Sequence, residues 1–376
     1  MKIEISGNIS RRYRLVNYHS SLIVLVTALT VLGIIIIGSA NSSYQNKQII
    51  GLFLGLFVMV VVSLIDYNFI LNFYWIIYFG GLVLLGMIFV FGDDAGGATR
   101  WIDFGFIRFQ PSEMTKILMI LFLAMFLSKY KESLNKPKGF FATVVLIMIP
   151  IALILKQPDL STSIVVFLVC AVLMFLAGLS YKIIAPILGI GIPAFALILH
   201  MIFSGNLNFI SEYQLLRILA WRYPDKYPQS AYQQQNSIMA VGSGQLFGKG
   251  LYNDNINSLK NGNFISEPQT DFIFAVTGEE LGFVGCCIVI ILLLLIALEC
   301  IYIGTTARNL EGKLICYGMG ALISIQSFVN ICVVTGLMPN TGLPLPFVSY
   351  GLTSLVTMFM GIGVVLNVGL QSDRRR

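Results

Sequence analysis

Charged side chains are scarce in this sequence. Asp, Glu, Lys and Arg make up 11% of its 376 residues, whereas hydrophobic residues make up 57%. Soluble domains carry about 25% charged residues, so this chain has too few of them to solvate a folded surface. The composition therefore excludes an ordinary soluble protein and indicates that lipid covers much of the folded chain.

Histidine is also scarce, and the cysteines have no polar surroundings. The two histidines, His19 and His200, lie too far apart in the sequence to suggest a histidine-rich metal site. All six cysteines fall inside apolar stretches, which indicates buried thiols rather than a disulfide framework. The first apolar run is too long for the hydrophobic region of a cleavable signal peptide, and further runs follow it, so we expect no such peptide.

What the chain has instead is a series of long apolar runs. A helix needs about 20 apolar residues to cross the hydrocarbon core of a bilayer. Suitable runs lie at about 22–38, 49–65, 73–91, 112–129, 140–155, 160–179, 183–203, 272–298, 314–336 and 346–368. Pro339, Pro344 and Pro346 separate the last two runs, because proline cannot continue a helix. The sequence therefore predicts an all-α integral membrane protein with about ten transmembrane helices, in which residues 1–376 form a single polytopic domain.

The basic residues predict the orientation of these helices. They cluster before the first run, between the fourth and fifth, the sixth and seventh, and the eighth and ninth, and after the tenth. With ten spans all these clusters fall on one side, which the positive-inside rule assigns to the cytoplasm; nine or eleven spans break this agreement. The net charge of +6 then suits anionic lipid headgroups and gives no reason to expect nucleic acid. We expect both termini in the cytoplasm.

The opposite, outer side receives two long segments, residues 92–111 and 204–270. The second joins the seventh and eighth predicted helices, and a loop of that length is usually functional or independently structured. We expect it to be partly helical and membrane-associated. Its glycine-rich segment, residues 242–250, lacks the preceding strand and the Lys-Ser/Thr ending of a phosphate-binding loop. We therefore expect tight turns near the membrane and no nucleotide site.

Several charged residues stand at the outer ends of predicted helices. Glu113 and Lys116 have the i,i+3 spacing that allows an ion pair on one helix face. Lys116 lies about one turn inside a span, where charges are expensive and tend to mark sites. The pair can line a substrate cavity or serve as a structural ion pair. Asp159 precedes the sixth predicted helix and can cap it, contribute to the same cavity, or both.

Asp271 precedes the eighth predicted helix and allows two interpretations. A partly desolvated carboxylate at the membrane surface has a raised pKa, as a general base requires. A carboxylate that caps a helix has a lowered pKa, because the positive end of the helix dipole favours its charge. Glu279 and Glu280 lie deeper in the same helix, so at least one of them should be paired or face a cavity.

Six segments together resemble the SEDS family of bacterial membrane proteins, which comprises RodA, FtsW and SpoVE. They are residues 100–102, 109–116, 157–160, 240–250, 270–282 and 341–351. They occur in the family's order and span most of the chain, and residues 342–351 look closest to the RodA branch. The chain departs from the family pattern at Ser266 and Gln269, which replace a proline and a histidine, and at Leu352 and Thr353, which interrupt the last motif.

The resemblance implies a peptidoglycan glycosyltransferase that polymerises lipid II into glycan strands at the outer face of the bacterial cytoplasmic membrane. It also implies release of undecaprenyl diphosphate and a partner, a class B penicillin-binding protein with transpeptidase activity. Asp271 stands where the family has its essential aspartate, which implies that it is catalytic. No cofactor is required, although acidic groups near the site permit a divalent cation.

The diphosphate leaving group needs positive charge. Lys116 and Arg100 are the first candidates to supply it, and Arg217 and Lys260 of the long loop are the second. Glu113 and Asp159 complete the predicted substrate-binding set. We further expect the carboxylate of Asp271 and the ammonium of Lys116 to converge on one cleft open to the outer leaflet.

Two other functions remain open at this point. A flippase for lipid II requires polar residues at mid-membrane depth. The sequence offers few of them: Glu279, Glu280, Glu299, Gln326 and Asn330. A scaffold that only recruits a cell-wall transpeptidase leaves Lys116 and Asp271 without a task beyond packing, so the charges at the outer surface favour the enzyme.

Overall fold

A computed structural model describes residues 18–95, 98–103, 105, 108–204, 212–252 and 267–372. The helices and strands, in chain order, are α1 (Ser20–Ala40), α2 (Ser42–Leu64), α3 (Tyr67–Asn72), α4 (Tyr74–Phe91), β1 (Asp93–Ala95), β2 (Ala98–Asp103), β3 (Arg108–Phe109), α5 (Pro111–Lys129), α6 (Pro137–Lys156), α7 (Leu160–Leu176), α8 (Tyr181–Phe203), α9 (Glu212–Arg222), α10 (Pro228–Ser243), α11 (Ile273–Thr306), α12 (Leu310–Val334) and α13 (Leu352–Leu370).

The long helices match the predicted spans. Nine helices in the described part of the chain are long and apolar enough to cross a membrane, namely α1, α2, α4, α5, α6, α8, α11, α12 and α13. The apolar helix α7 has 17 residues and corresponds to the remaining predicted span, at the lower limit of about 17 residues for a transmembrane helix. The predicted all-α membrane fold is thereby confirmed.

Three local features differ from the predicted pattern. The outer segment after α4 forms a small antiparallel sheet of β1, β2 and β3. The last helix begins at Leu352, not at residue 346, because the apolar residues before it are buried as a loop. Within that loop Tyr350 N donates to Gln269 O over 2.8 Å. The third feature is a break in α11 at Gly282, whose φ of 67° and ψ of −163° are not helical.

Helices α5, α12 and α13 form the centre of the bundle, and most of their residues are buried. Helix α8, by contrast, packs little against the other helices. It is exposed along nearly its whole length, and Ile202 is its buried residue. Exposed apolar side chains on such a helix are expected to contact lipid. The polar groups that could form a site therefore meet around the ends of the central helices.

The connecting segments gather at two ends of the bundle in the order expected for ten spans. Two segments predicted to be outside meet where Ser161 Oγ donates to Thr341 O. Two segments predicted to be cytoplasmic meet where Tyr67 OH donates to Asn309 Oδ1 over 2.7 Å. We call the first of these the outer end of the bundle; it carries β1–β3, the α6–α7 turn, α9, α10 and the loop that precedes α13.

Candidate functional site

Arg100 extends from β2 to the turn between α6 and α7. Strand β2 is held in register by its pairing with β3, in which Ile102 faces Phe109. The Arg100 side chain is 14% exposed, and its Nη1 lies 4.0 Å from Asp159 Oδ1. Its Nη2 donates to the carbonyl of Pro158. The guanidinium thus ties the small sheet to the start of α7 and brings positive charge to the outer end of the bundle.

Asp159 caps α7, as the sequence allowed, while its role in a substrate cavity stays a prediction. As the N-cap of α7, its carboxylate accepts from Thr162 N over 3.1 Å and from Thr162 Oγ1 over 2.9 Å. The same carboxylate faces Arg100 and accepts from Gln110 Nε2 over 3.4 Å. Capping fixes the carboxylate in place, and from that position it balances part of the charge of the guanidinium.

Asp271 lies in the turn just before α11 and does not cap that helix. The N-cap position belongs to Phe272, which makes no side-chain cap hydrogen bond. Asn330 of α12 holds the turn instead: its Nδ2 donates to the carbonyl of Asp271 over 2.8 Å and to the carbonyl of Leu343 over 2.6 Å. One buried amide therefore joins the turn of Asp271 to the loop before α13.

The charged groups of three separate segments converge at Gly342. A Cβ atom on this residue would lie 3.3 Å from Asp271 Oδ2, 3.6 Å from Arg217 Nη1 and 3.9 Å from Arg100 Nη1. Its φ of +76° belongs to the left-handed region that side chains rarely adopt. Glycine at this position thus permits the loop conformation and keeps open the space that one carboxylate and two guanidiniums face.

The environment of Asp271 favours the general-base interpretation. Burial raises the pKa of this carboxyl to about 6, against the opposing effect of the positive charges on Arg217 and Arg100. The negative charges of Asp159 and Glu267 add to the increase. A carboxyl with this pKa is ionised at neutral pH and is still basic enough to accept a proton in a reaction, which is the property that a general base needs.

A narrow cleft of about 40 Å³, open to solvent, lies beside these charged groups. Its walls come from β2, the start of α7, helix α9 and the loop before α13. The lining residues are Arg100, Pro158, Leu160, Ser161, Gln214, Arg217, Ile218, Pro339, Asn340 and Thr341. Two of the residues predicted to bind substrate, Arg100 and Arg217, thus contribute guanidiniums to one cleft. Lys260, also predicted to bind substrate, lies outside the described residues.

Glu113 and Lys116 form the predicted ion pair, but it lies inside the bundle. Lys116 Nζ is 2.7 Å from Glu113 Oε1, and each residue is 2% exposed. The same ammonium donates to Gln326 Oε1 over 2.7 Å, and Gln326 Nε2 donates to Pro344 O over 2.9 Å. Lys116 is not among the residues lining the cleft beside Arg100. The expected convergence of Lys116 and Asp271 on one open cleft is therefore not observed, because the ammonium is held beneath the loop; its contact with substrate stays a prediction.

Gln326 and Asn330 are site residues that the sequence alone did not identify as such. They have i,i+4 spacing, which places them on one face of the otherwise apolar α12. In the sequence they stand only as polar groups at mid-membrane depth. In the structure both are almost fully buried, and both bind backbone carbonyls of the loop before α13. Polar residues spaced by four in an apolar helix are the signal that could have found them.

The glycine-rich segment forms the expected tight turns and pairs with the break in α11. Lys249 N donates to Glu279 O over 2.9 Å, and Gly250 N donates to Glu280 O over 3.0 Å. On the far side of the break, Phe283 N donates to a carbonyl of the glycine-rich segment over 2.8 Å. Within a membrane, non-helical backbone persists only where such partners satisfy it. The segment therefore stabilises the irregular part of α11.

The two glutamates near this break are both engaged. Glu279 Oε1 pairs with Lys249 Nζ over 2.8 Å. Glu280 Oε1 accepts from Ser39 Oγ over 2.6 Å. The expectation that at least one of them is paired is confirmed, and both link α11 to neighbouring segments.

The described residues give no separate support for a metal site. Among them, no group of three or more histidine, cysteine, aspartate or glutamate side chains is arranged to hold a metal ion. Asp159 and Asp271 are two acidic groups near Arg100. The divalent cation that the sequence permits stays a prediction.

Known proteins are similar to this chain over nearly its whole length. Over 93% of its length, this chain is 32% identical to the probable peptidoglycan glycosyltransferase FtsW of Wigglesworthia glossinidia brevipalpis, of which it covers 92%. It is also 32% identical to the protein of the same name from Escherichia coli O157:H7, with 95% of this chain and 87% of the relative covered.

Solved structures show the same fold. A chain from a peptidoglycan synthase complex, described as coordinating polymerization and crosslinking, matches 94% of this chain and 97% of its own length at 28% identity and a TM-score of 0.77. Thermus thermophilus RodA matches 94% of this chain and 96% of its own length at 26% identity and a TM-score of 0.68. Since the relatives carry the name FtsW and this structure the name RodA, the predicted closeness to RodA stays a prediction.

The family model for FtsW, RodA and SpoVE, described as a cell cycle protein, matches residues 12–374. That match includes every residue of the site described above. The chain belongs to the FtsW/RodA/SpoVE family of membrane proteins.

Proposed function

We propose that this protein is a peptidoglycan glycosyltransferase that polymerises lipid II into glycan strands at the outer face of the bacterial cytoplasmic membrane. The observation that carries the proposal is the meeting of the Asp271 carboxylate with the guanidiniums of Arg100 and Arg217 around Gly342. A base beside two cations suits a transfer that takes a proton from one substrate and releases an anion from the other. The names of the FtsW relatives support the same reaction.

In this mechanism Asp271 is the general base. Its carboxylate accepts the proton of the acceptor sugar's 4-hydroxyl while the hydroxyl oxygen attacks the anomeric carbon of the growing strand. The bond from that carbon to the diphosphate oxygen breaks, and its electron pair leaves with undecaprenyl diphosphate. One base on the attacking face is sufficient for such an inverting transfer. The pKa of about 6 keeps the carboxylate ionised at neutral pH.

Arg100 and Arg217 stabilise the charge of the leaving diphosphate. Guanidiniums bind phosphate oxygens through two parallel hydrogen bonds, and both lie beside the base. The charge of Lys116 is balanced at short range by Glu113, so we assign it the weaker role of supporting the loop through Gln326. Lys260 and a divalent cation are further sources of positive charge in this proposal.

The proposal extends to a partner enzyme. The peptidoglycan synthase complex matched above combines polymerization with crosslinking. Glycan strands made by this protein would likewise have to be crosslinked by a second enzyme. We therefore infer a class B penicillin-binding protein as its partner.

The flippase alternative has less support. It needs a continuous polar path, yet Gln326, Asn330, Glu279 and Glu280 each bind neighbouring protein groups. Glu299, nearer the other end of the bundle, accepts from Ser21 Oγ over 2.6 Å. These contacts give the polar residues structural tasks and leave the charged groups at the outer end for chemistry.

A reconstituted assay tests the proposal. Full-length protein and its partner transpeptidase are incubated with lipid II, and glycan strands are measured for wild type, Asp271→Asn and the control Asp103→Asn, which alters an exposed carboxylate of β2. We expect strands from wild type and the control and at least a 100-fold lower rate from Asp271→Asn, the upper part of the range for losing an acid or base catalyst. Full activity of Asp271→Asn removes this residue as the base. Transfer of lipid II between leaflets without strands supports the flippase.

A further inference from the structure

The turn that precedes α11 is held through its backbone. Three consecutive carbonyls of this turn each accept a hydrogen bond from a different donor. Gln269 O accepts from Tyr350 N over 2.8 Å, and Thr270 O accepts from Ser349 Oγ over 2.7 Å. The third carbonyl, that of Asp271, accepts from the α12 amide described above. Because the Asp271 side chain does not cap the helix, these three contacts determine where its carboxylate lies.

Ser349 connects this turn to the loop before α13. Its Oγ donates to Thr270 O and accepts from Leu345 N, each over 2.7 Å, and the residue is 6% exposed. A hydroxyl that donates and accepts at the same time has a fixed orientation. The same loop carries Gly342, which lies against the Asp271 carboxylate. One hydroxyl therefore ties the turn of the base to the loop that the base faces.

Helix α2 holds the loop from its other side. The side chain of Gln48 is fully buried; its Nε2 donates to Ser349 O over 3.1 Å, and its Oε1 accepts from Gly351 N over 3.3 Å. One turn earlier on the same face, Tyr44 packs on Tyr350 with ring centroids 4.6 Å apart. A buried amide must be hydrogen-bonded to be tolerated, and both ends of this one bind loop backbone. Helix α2 thus fixes the residues on both sides of Tyr350, whose N–H binds the turn.

We propose that Ser349 and Gln48 are positioning residues for the base. Ser349 holds the turn of Asp271 directly, and Gln48 holds the part of the loop that carries Ser349. The inference rests on the proposed function and deepens it, because it names two residues that affect the reaction through Asp271.

Loss of the Ser349 hydroxyl should change both the place and the basicity of the carboxylate. Thr270 O and Leu345 N lose their shared partner, so the turn is no longer held against the loop. A displacement of about 1 Å in a reacting group can lower the rate about 100-fold. Burial is the largest cause of the raised pKa of Asp271, so a turn that relaxes towards water should bring this pKa down towards the usual range of a carboxyl. A loss of stability alone gives no such shift.

Steady-state kinetics with lipid II test the inference on full-length protein with its partner transpeptidase. The variants are Ser349→Ala and Gln48→Leu. Their matched controls, Ser63→Ala and Gln371→Leu, remove a buried hydroxyl and a buried amide at the opposite end of the bundle. Values of kcat and KM are measured between pH 5 and 8, and thermal unfolding shows that each variant is folded.

We expect kcat to fall about tenfold to 100-fold in Ser349→Ala and Gln48→Leu, with KM within about twofold of wild type. The midpoint of kcat/KM against pH should move to lower pH in both, because a less buried base stays ionised in more acidic solution. Both controls should keep the wild-type kcat and midpoint. Where Ser349→Ala does not fold, Gln48→Leu against its control decides the question.

Two results overturn the positioning role: kcat values equal to those of the controls, or a lower kcat with an unchanged midpoint. Asp271→Asn, measured in parallel, separates this failure from that of the proposed function. If Asp271→Asn is inactive while Ser349→Ala and Gln48→Leu behave as their controls, only the positioning role is wrong. Full activity of Asp271→Asn contradicts the proposed base and, with it, this inference.

Discussion

Asp271 shows how neighbouring residues determine the chemistry of a single carboxylate. Removal from water raises its pKa, while the guanidiniums of Arg217 and Arg100 limit the increase, so that the value is about 6. The same two cations are suited to bind the leaving diphosphate. Basicity and anion binding are therefore linked at this site: a change in either arginine alters both.

This linkage predicts the pH dependence of strand formation. A general base works only when ionised, so kcat/KM should rise with pH through about 6 and reach a plateau above it. Arg217→Gln removes a positive charge that opposes protonation, so the midpoint should move to higher pH, in addition to any loss of rate. Initial rates between pH 5 and 8 measure both midpoints, with Asp103→Asn as the control. A midpoint for Arg217→Gln at or below the wild-type value contradicts the role of Arg217.

The sequence predicted charged site residues better than neutral ones. Arg100 and Asp271 stand out because charges at the edge of an apolar run are costly and need an explanation. Asn330 and Asn340 are uncharged, so they stand out less in the sequence. Their importance arises only when α12 and the loop before α13 come together around them. The relation between Lys116 and the cleft was misjudged for the same reason, because it depends on Gln326 of a distant helix.

At the scale of elements, the half of α11 that follows Asp271 is supported by the glycine-rich segment. Backbone hydrogen bonds on both sides of Gly282 connect the two, and the Lys249–Glu279 ion pair adds a side-chain link. Gly248 fits against the carbonyl of Glu280, and an added Cβ would clash with that oxygen. The position of the turn that holds Asp271 therefore depends on a segment from the long loop.

Two glycine substitutions distinguish the effect of packing between the glycine-rich segment and α11 from the effect of backbone strain. Gly248 and Gly250 both have positive φ, so alanine at either costs about 1–2 kcal/mol. Among the described residues, a Cβ at position 248 meets the backbone of Glu280, whereas a Cβ at position 250 has no described atom within 4 Å. We expect Gly248→Ala to lower Tm and the polymerisation rate clearly more than Gly250→Ala. Thermal unfolding in detergent and the lipid II assay measure the two effects, and equal losses for the two variants contradict the supporting role.

Hydropathy identified the helices but not their irregular parts. The start of α13 was misplaced because the residues before it are apolar in the sequence, and they are indeed buried, but as loop. The break at Gly282 was not predicted, since a glycine in an apolar run resembles any glycine at a helix contact. The break is tolerated because the glycine-rich segment supplies backbone partners from elsewhere in the chain.

At the scale of the whole molecule, the contacts between connecting segments agree with ten spans. Ser161 reaches Thr341 at the outer end, while Tyr67 reaches Asn309 and Asn68 Nδ2 reaches Gln371 Oε1 at the opposite end. The basic clusters between predicted spans belong to that opposite end. The number of helices determines on which side of the membrane each connecting segment lies, and the distribution of basic residues is an independent property of the chain. The two agree, because the basic clusters lie on the side opposite the cleft. This agreement supports an orientation with the cleft outside.

Cysteine labelling tests this orientation. Of the native cysteines, Cys287 is half-buried in α11 and the other five are buried, so an impermeant maleimide should leave wild type unlabelled. Lys226 and Lys138 are exposed residues at opposite ends of the bundle. Because basic clusters are retained in the cytoplasm, we expect Lys226→Cys to react in intact spheroplasts. Lys138→Cys should react only after permeabilisation. Labelling of Lys138→Cys in intact spheroplasts would place the cleft in the cytoplasm, where a strand made there could not reach the cell wall.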